Sequence, residues 1–512
     1  MENKKSLKIN ILLTVLFALF TLNTVLRHEI WADEAQVWLL VKYLSPVGLL
    51  KHLVNEGHPS FFYFLVMPFV KMNFSIMAMQ IICWLGTVFG AFLILQFSPF
   101  SKFAKFSILT GGCFLYFFPV IARSYSILPF LVTAAAYLYP KSKERPYLYA
   151  IVLALIANTH VIMFGFSGIL GCIFLYDNFI KPFKTLTKNE KIKFGAAFGV
   201  VFAGLLAVVL QLKGTSSSNS CIGLNFDYIG MNVYHTMLEF FTNVIDNTAI
   251  NMAPVVSSAA MMKTYQASWA VVAASLVLLA LTFLSVVIFA LVNVRAFLTV
   301  AAGIGFQLFV YIFAYSAFIY PNRIGTAYLI MIFAFWMVLS DANFKEKYRI
   351  ITKKSLNIIL ALMFLVTIMN GVRYTIGDLT GNYSSAKVTA QFIQKNIPEN
   401  ALLITTQDPF SLGLYYYLPK NRMWSIMQRK YINYVVWDKS LLIGRMQKDW
   451  SLIVRRRFSE EMKHQPIYVV TPSYDFGRGL EIFNKDDWKM IYLSPPSIAY
   501  GEGFAIYKFT GR

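Results

Sequence analysis

The stretch Pro59-Ser60-Phe61-Phe62-Tyr63-Phe64-Leu65-Val66-Met67-Pro68-Phe69-Val70 decides how the rest of the chain is oriented. It is strongly apolar but only about a dozen residues long, whereas a helix needs about 20 to cross the hydrocarbon core. If it does not cross, the N-terminus and the loops 98–105, 140–145, 181–193, 292–296 and 341–354 lie on one side. Together they hold nineteen Lys and Arg. Lys181, Lys184, Lys188, Lys191 and Lys193 dominate one of these loops, and Lys345, Lys347, Arg349, Lys353 and Lys354 another. Short loops rich in Lys and Arg stay in the cytoplasm. If the segment crossed, every later loop would flip and these cations would face outward. It is therefore read as a helix lying in the outer interface.

The rest of the chain fits that frame. Of 512 residues, 57% are hydrophobic, 16% aromatic and only 14% charged, more apolar surface than a soluble domain needs. Apolar runs cover 9–27, 76–97, 105–121, 124–139, 146–162, 163–180, 194–212, 265–291, 297–318, 323–340 and 355–372. They do not alternate polar and apolar residues as a barrel would. The fold class is a polytopic α-helical membrane protein of about eleven spans with a C-terminal extracytoplasmic α/β domain. The first apolar core exceeds the roughly 7–15 residues of a signal peptide, and Leu26-Arg27-His28 offers no small-residue cleavage site, so it is read as an uncleaved span. The expected location is the plasma (bacterial inner) membrane, N-terminus inside and tail outside.

A net charge of +21 would point to nucleic acid in a soluble chain. Here the cations orient the spans, and the lipid bilayer is the expected partner, not nucleic acid. Cys83, Cys113 and Cys172 fall in spans and Cys221 in a loop, so no disulfide framework is expected.

Two units follow: a membrane domain, 1–372, and an α/β domain, 373–512. The first outer loop, 28–75, carries a helix from Asp33 to Leu44. The second, 213–264, opens on the flexible run Thr215-Ser216-Ser217-Ser218-Asn219-Ser220. In the tail, Ser384–Ile397 reads as an amphipathic helix. The runs 401–406, 434–437, 467–471 and 490–493 read as short buried strands. Asp408, just past a strand, is a loop cap or a ligand residue.

The ionisable residues that interrupt apolar segments gather at the outer rim: Asp33, Glu34, Glu56, His58, Arg123, His160 and Arg323. Charges there are costly and tend to be functional. In Trp31-Ala32-Asp33-Glu34-Ala35-Gln36, adjacent carboxylates can supply a general base and a second group for a sugar hydroxyl or a divalent cation. Asp33 is also a good N-cap, with Gln36 at N3. Asn55-Glu56-Gly57-His58-Pro59 opens the interfacial helix, and Glu56 and His58 can bind polar substrate groups. Arg123 and Tyr125 join two spans outside. Asn158 and His160 end another, and Tyr320 and Arg323 open a late one. Arg is a planar donor suited to phosphate, though a rim Arg can also snorkel to headgroups. His235 and Glu239 form a lone i, i+4 pair. Paired Cys or His spacing for a metal, a nucleophile elbow and a Walker loop are all missing.

The motifs Trp31-Ala32-Asp33-Glu34-Ala35-Gln36-Val37-Trp38, Glu56-Gly57-His58-Pro59-Ser60 and Ala122-Arg123-Ser124-Tyr125 resemble the GT-C superfamily of integral-membrane glycosyltransferases. They look most like family 39, the bacterial branch of the protein O-mannosyltransferase and aminoarabinose transferase group. Ser60 stands where a second Pro is common, and Ser126-Ile127-Leu128-Pro129 where some relatives carry an Asp. The resemblance implies transfer of a sugar from a polyprenyl-phosphate donor to an acceptor hydroxyl on a glycan, lipid or protein at the outer face, with inversion. It implies Asp33 as general base, Glu34 and His58 positioning acceptor or sugar, and Arg123 and Arg323 on the departing phosphate. The long lipid would lie in a groove between spans. Rival classes are a transporter or flippase, which needs charges or broken helices near mid-membrane, an assembly protein acting through its tail, and another lipid-linked glycan enzyme such as a polymerase or ligase.

Overall fold

The computed structural model describes residues 2–213, 229–230, 232–233, 236, 269–314, 321–341, 346–437, 450–473, 487–499 and 501–511. Eight helices among them are long and apolar enough to cross a membrane: Lys5–Val25, Met77–Phe97, Val161–Ile180, Lys188–Leu212, Ala273–Val292, Val294–Phe313, Arg323–Ser340 and Thr352–Thr380. A ninth is the pair Lys102–Thr110 and Cys113–Val120, bent by 55° at Gly111-Gly112. The other two expected spans are shorter helices. Leu128–Leu138 is extended by 3₁₀ turns on both sides, and Pro146–Thr159 stops before His160. The chain is a multi-pass membrane protein.

Four helices build the first part: α1 (Glu2–Val25), α2 (Ala32–Tyr43), α3 (Pro46–Glu56) and α4 (Phe61–Lys71). The decisive apolar stretch is α4. It has eleven residues, one stripe of which, Phe62, Tyr63, Val66 and Val70, is buried. It packs along α2 and on the helices Met77–Phe97 and Pro146–Thr159. The Ser45 side chain caps α3 by accepting from Gly48, with Pro46 preset for the first turn. Gly57 ends α3 at φ 66°, a left-handed conformation that glycine adopts freely, and this turn delivers His58.

The Met77–Phe97 helix approaches the turn at 126–129 so closely that a Cβ on Gly86 would lie 2.8 Å from Ile127 Cα, and one on Gly90 2.7 Å from the Pro129 carbonyl carbon. This four-residue spacing of small residues brings backbones together without lipid between them. Thr87 Oγ1 donates to the Ser126 carbonyl at 3.3 Å. The segment just after Arg123 is thus held against a rigid span.

The tail forms a six-stranded sheet from β1 (Leu402–Thr405), β2 (Met423–Ser425), β3 (Lys430–Tyr431), β4 (Ile467–Pro472), β5 (Trp488–Leu493) and β6 (Phe504–Phe509). Their order is β3-β2-β1-β4-β6-β5, with β1 parallel to β2 and β4, and antiparallel pairs at both edges. Every residue of β1 and β4 is buried, as central parallel strands require. The amphipathic helix is Ala386–Asn396. The expected strand at 434–437 is a loop. Its backbone is satisfied elsewhere: Val435 N–H and C=O both bond the Gln36 side chain of α2, at 3.0 and 2.7 Å. The tail also docks through the helix Asp408–Tyr417 on α2, and through Glu502, which accepts from Ala32 N–H at 2.6 Å.

Candidate active site

The N-terminal end of α2 sets the two acids apart. The N-cap is Trp31, not Asp33, and Glu34 at N3 folds back to accept the Trp31 N–H at 3.3 Å. The capping role expected of Asp33 therefore belongs to Glu34. Glu34 is fully enclosed: one oxygen accepts Ala122 N–H at 2.6 Å, and the other faces His28 Nε2 at 3.3 Å. The Asp33 side chain stays 27% exposed, with a carboxylate oxygen 3.7 Å from the Arg123 guanidinium. An acid in the first turn is favoured by the helix dipole in either case, so the side chain's direction makes the difference.

Arg123 is the hub. Its Nη1 donates to the Asp33 carbonyl at 2.6 Å and its Nη2 to His58 Nε2 at 3.3 Å. The His58 ring lies 4.6 Å from that of His160, and Tyr125 packs on His160 at 5.8 Å. Arg323 is within electrostatic reach of His58, His160 and Tyr125. Burial, then His160, Arg123 and Arg323, push the His58 pKa well below its ordinary value, so the ring is neutral and accepts from Arg123. His160 Nδ1 accepts the Ile162 N–H at 3.3 Å, which leaves the proton on Nε2. That buried Nε2–H finds no partner among the described residues, nor does Arg123 Nε. Two arginines and an unmatched donor form a cationic corner beside an accessible carboxylate, an arrangement chemically suited to an anion.

Glu56 ends α3 two residues before His58, accepting on one oxygen from Gln36 at 2.8 Å and from His52 at 3.1 Å. Asn158 is not brought into the cluster. Its amide donates to Gly204 and Ala154 carbonyls and accepts from Gln211, which in turn receives Ser60 N–H, so it ties neighbouring helices together. Tyr320, His235, Glu239, Cys221 and the run 215–220 lie outside the described residues. Among the described residues no three His, Cys, Asp or Glu side chains come together to hold a metal ion.

Four residues that the sequence motifs did not single out complete the surroundings. His28 Nδ1 lies 2.7 Å from Asp378 Oδ2, which also accepts the Tyr116 hydroxyl at 2.9 Å. Burial alone would lower the His28 pKa, but Asp378 and Glu34 on either side raise it to about 10, and the ring is an imidazolium. Tyr383 covers its face at 4.4 Å.

No protein-family model matches the chain, and no curated protein does. Among solved structures the chain is similar to the crystal structure of ArnT from Cupriavidus metallidurans bound to undecaprenyl phosphate, at 11% identity and a TM-score of 0.44 over 97% of each chain.

Proposed function

We propose that this protein is a membrane glycosyltransferase that moves a sugar from a polyprenyl-phosphate donor to an acceptor hydroxyl at the outer membrane face. One observation carries the reading: an accessible carboxylate, Asp33, stands beside a cationic corner with an unfilled donor, Arg123, Arg323 and His160 Nε2–H. The motif resemblance supports the same assignment. Asp33 takes the acceptor's hydroxyl proton. The freed oxygen bonds the anomeric carbon from the face opposite the phosphate. The bond from that carbon to the phosphate oxygen breaks, its electron pair goes to the phosphate, and the anomeric centre inverts. Arg123, Arg323 and His160 stabilise the charge that grows on the leaving phosphate, and they are placed before the reaction begins. Neutral His58 keeps Arg123 aimed without adding a like charge. Glu56, held by Gln36 and His52, orients sugar or acceptor hydroxyls.

The test is direct. Purified full-length protein in detergent is incubated with a panel of radiolabelled polyprenyl-phosphate sugars. Release or transfer of label with formation of polyprenyl phosphate is expected from at least one donor. No turnover with any of them, under conditions where the protein stays folded, would sink the reading and restore the transporter class.

A further inference from the structure

The charged group around His28 lies behind the rim site and takes no part in the proposed chemistry. His28 follows α1, Glu34 opens α2, Tyr116 lies in the π-helical turn Cys113–Phe117, and Asp378 belongs to the helix Ile368–Thr380. All four are buried. A buried charge cluster is poor value for stability, because an apolar replacement of similar shape is often as stable or more so. What it does geometrically is specific. Glu34 accepts the Ala122 N–H at 2.6 Å, and Arg123 returns its guanidinium to the Asp33 carbonyl at 2.6 Å. Two consecutive residues of one segment are thereby cross-bonded to two consecutive residues of the other. Glu34 holds this register because His28 fixes its other oxygen. His28 is fixed in turn by Asp378 at 2.7 Å, and Asp378 by the Tyr116 hydroxyl.

We infer that His28 and Asp378 are positioning residues: through Glu34 they set the Ala122-Arg123 turn, and with it the alignment of Arg123 against Asp33. The inference rests on the glycosyltransferase reading for its functional consequence, but not for its structural test. The last helix of the bundle is thus mechanically linked to the residue that meets the leaving phosphate. The charged and titratable groups facing His28 are Glu29, Glu34 and Asp378, with Tyr116 and Tyr383 completing the enclosure.

The experiment compares full-length wild type with Asp378→Asn, His28→Gln and the milder Tyr116→Phe in detergent, by amide hydrogen exchange and by transfer kinetics. Exchange in peptides containing Ala122 should speed by about tenfold or more in Asp378→Asn and His28→Gln, because a buried donor loses a fixed acceptor. Tyr116→Phe should show a smaller rise at the same place. Segments remote from the turn, such as the 188–200 end of the helix Lys188–Leu212, should exchange as in wild type. In the transfer assay kcat should fall with little change in donor KM, as expected when a group aimed at the transition state is misaligned. Unchanged exchange at Ala122, or equal acceleration throughout the bundle, overturns the positioning role whatever the kinetics. A local rise at Ala122 with normal kcat overturns the link to catalysis. If wild type transfers no sugar at all, the glycosyltransferase reading fails on its own, and the exchange data still judge the turn.

Discussion

Two helices of this protein begin with a buried polar cluster around an aspartate, and the clusters are built to opposite ends. At the start of Asp408–Tyr417, Asp408 accepts from Ser425 Oγ at 2.6 Å, Gln428 Nε2 at 3.2 Å and the Tyr415 hydroxyl at 3.2 Å. It is completely buried at the C-terminal end of β1, where Thr405 bonds Ser411 and Thr406 bonds Thr471. These three donors come from the tail itself. At the start of α2, Asp33 is open, and the buried donors near it, His160 Nε2 and Arg123 Nε, lack partners among the described residues. Both acids gain from a helix N-terminus. Matched bonding around Asp408 suits a structural role, and the unmatched donors beside the open Asp33 leave room there for a group from outside. The α/β topology would have favoured Asp408, since ligands in such sheets gather at strand C-terminal ends. The bonding inventory favours the rim.

Substitutions on the two sides should separate accordingly. The largest effect is expected from Arg123→Gln, which under the proposed function removes a preplaced charge from the leaving phosphate. Sugar transfer should fall by about 10³-fold with the fold retained. A drop of less than tenfold would demote Arg123 to a snorkelling rim residue. His160→Phe keeps a ring against His58 but deletes the orphaned donor. Turnover should fall by about 10²-fold, and full activity would mean that Nε2–H meets no substrate atom. Asp408→Asn should act on the other axis. Leaving Ser425, Tyr415 or Gln428 poorly paired costs about 1–3 kcal/mol, read as a lower melting temperature, while turnover per folded molecule stays near wild type. Lost turnover at normal stability would break the contrast between the clusters.

The smallest effect is a slope. His28 holds its proton to about pH 10 in the folded protein, against 6.5 ordinarily. Its contribution to stability is therefore complete below the ordinary value and is lost as pH rises through about 10. Melting temperatures measured across that window should fall more steeply for wild type than for His28→Gln. Parallel curves would show that the ring is not held as a cation.

Much of the rim was legible because ionisable residues interrupting apolar runs are expensive, and Asp33, His58, Arg123 and His160 stand out on that ground alone. What sequence could not give was direction. Asp33 and Glu34 are neighbours of like chemistry, and only the turn of α2 shows that one stays open beside Arg123 while the other is sealed against Ala122. His28 and Asp378 escaped notice for a related reason. Each sits at a helix end among polar residues, and their pairing spans 350 positions. The last helical stretch runs on to Thr380, past the point where the apolar run fades, and there Asp378 pairs with His28. In the tail, β1, β4 and β5 follow apolar runs, but β2 and β3 are three and two residues long and exist through pairing rather than pattern. At 434–437 the pattern reads as a strand, and Gln36 takes the place of the sheet neighbour.

The most direct measurement compares wild type with Asp33→Asn in the transfer assay with the best radiolabelled polyprenyl-phosphate sugar. The change is nearly isosteric, leaves the backbone carbonyl that holds Arg123, and removes only the base. Transfer should fall by about 10²-fold or more with donor binding retained, the size expected when a general base is lost. Unchanged transfer by Asp33→Asn would contradict Asp33 as the base and leave the rim cluster without its central residue.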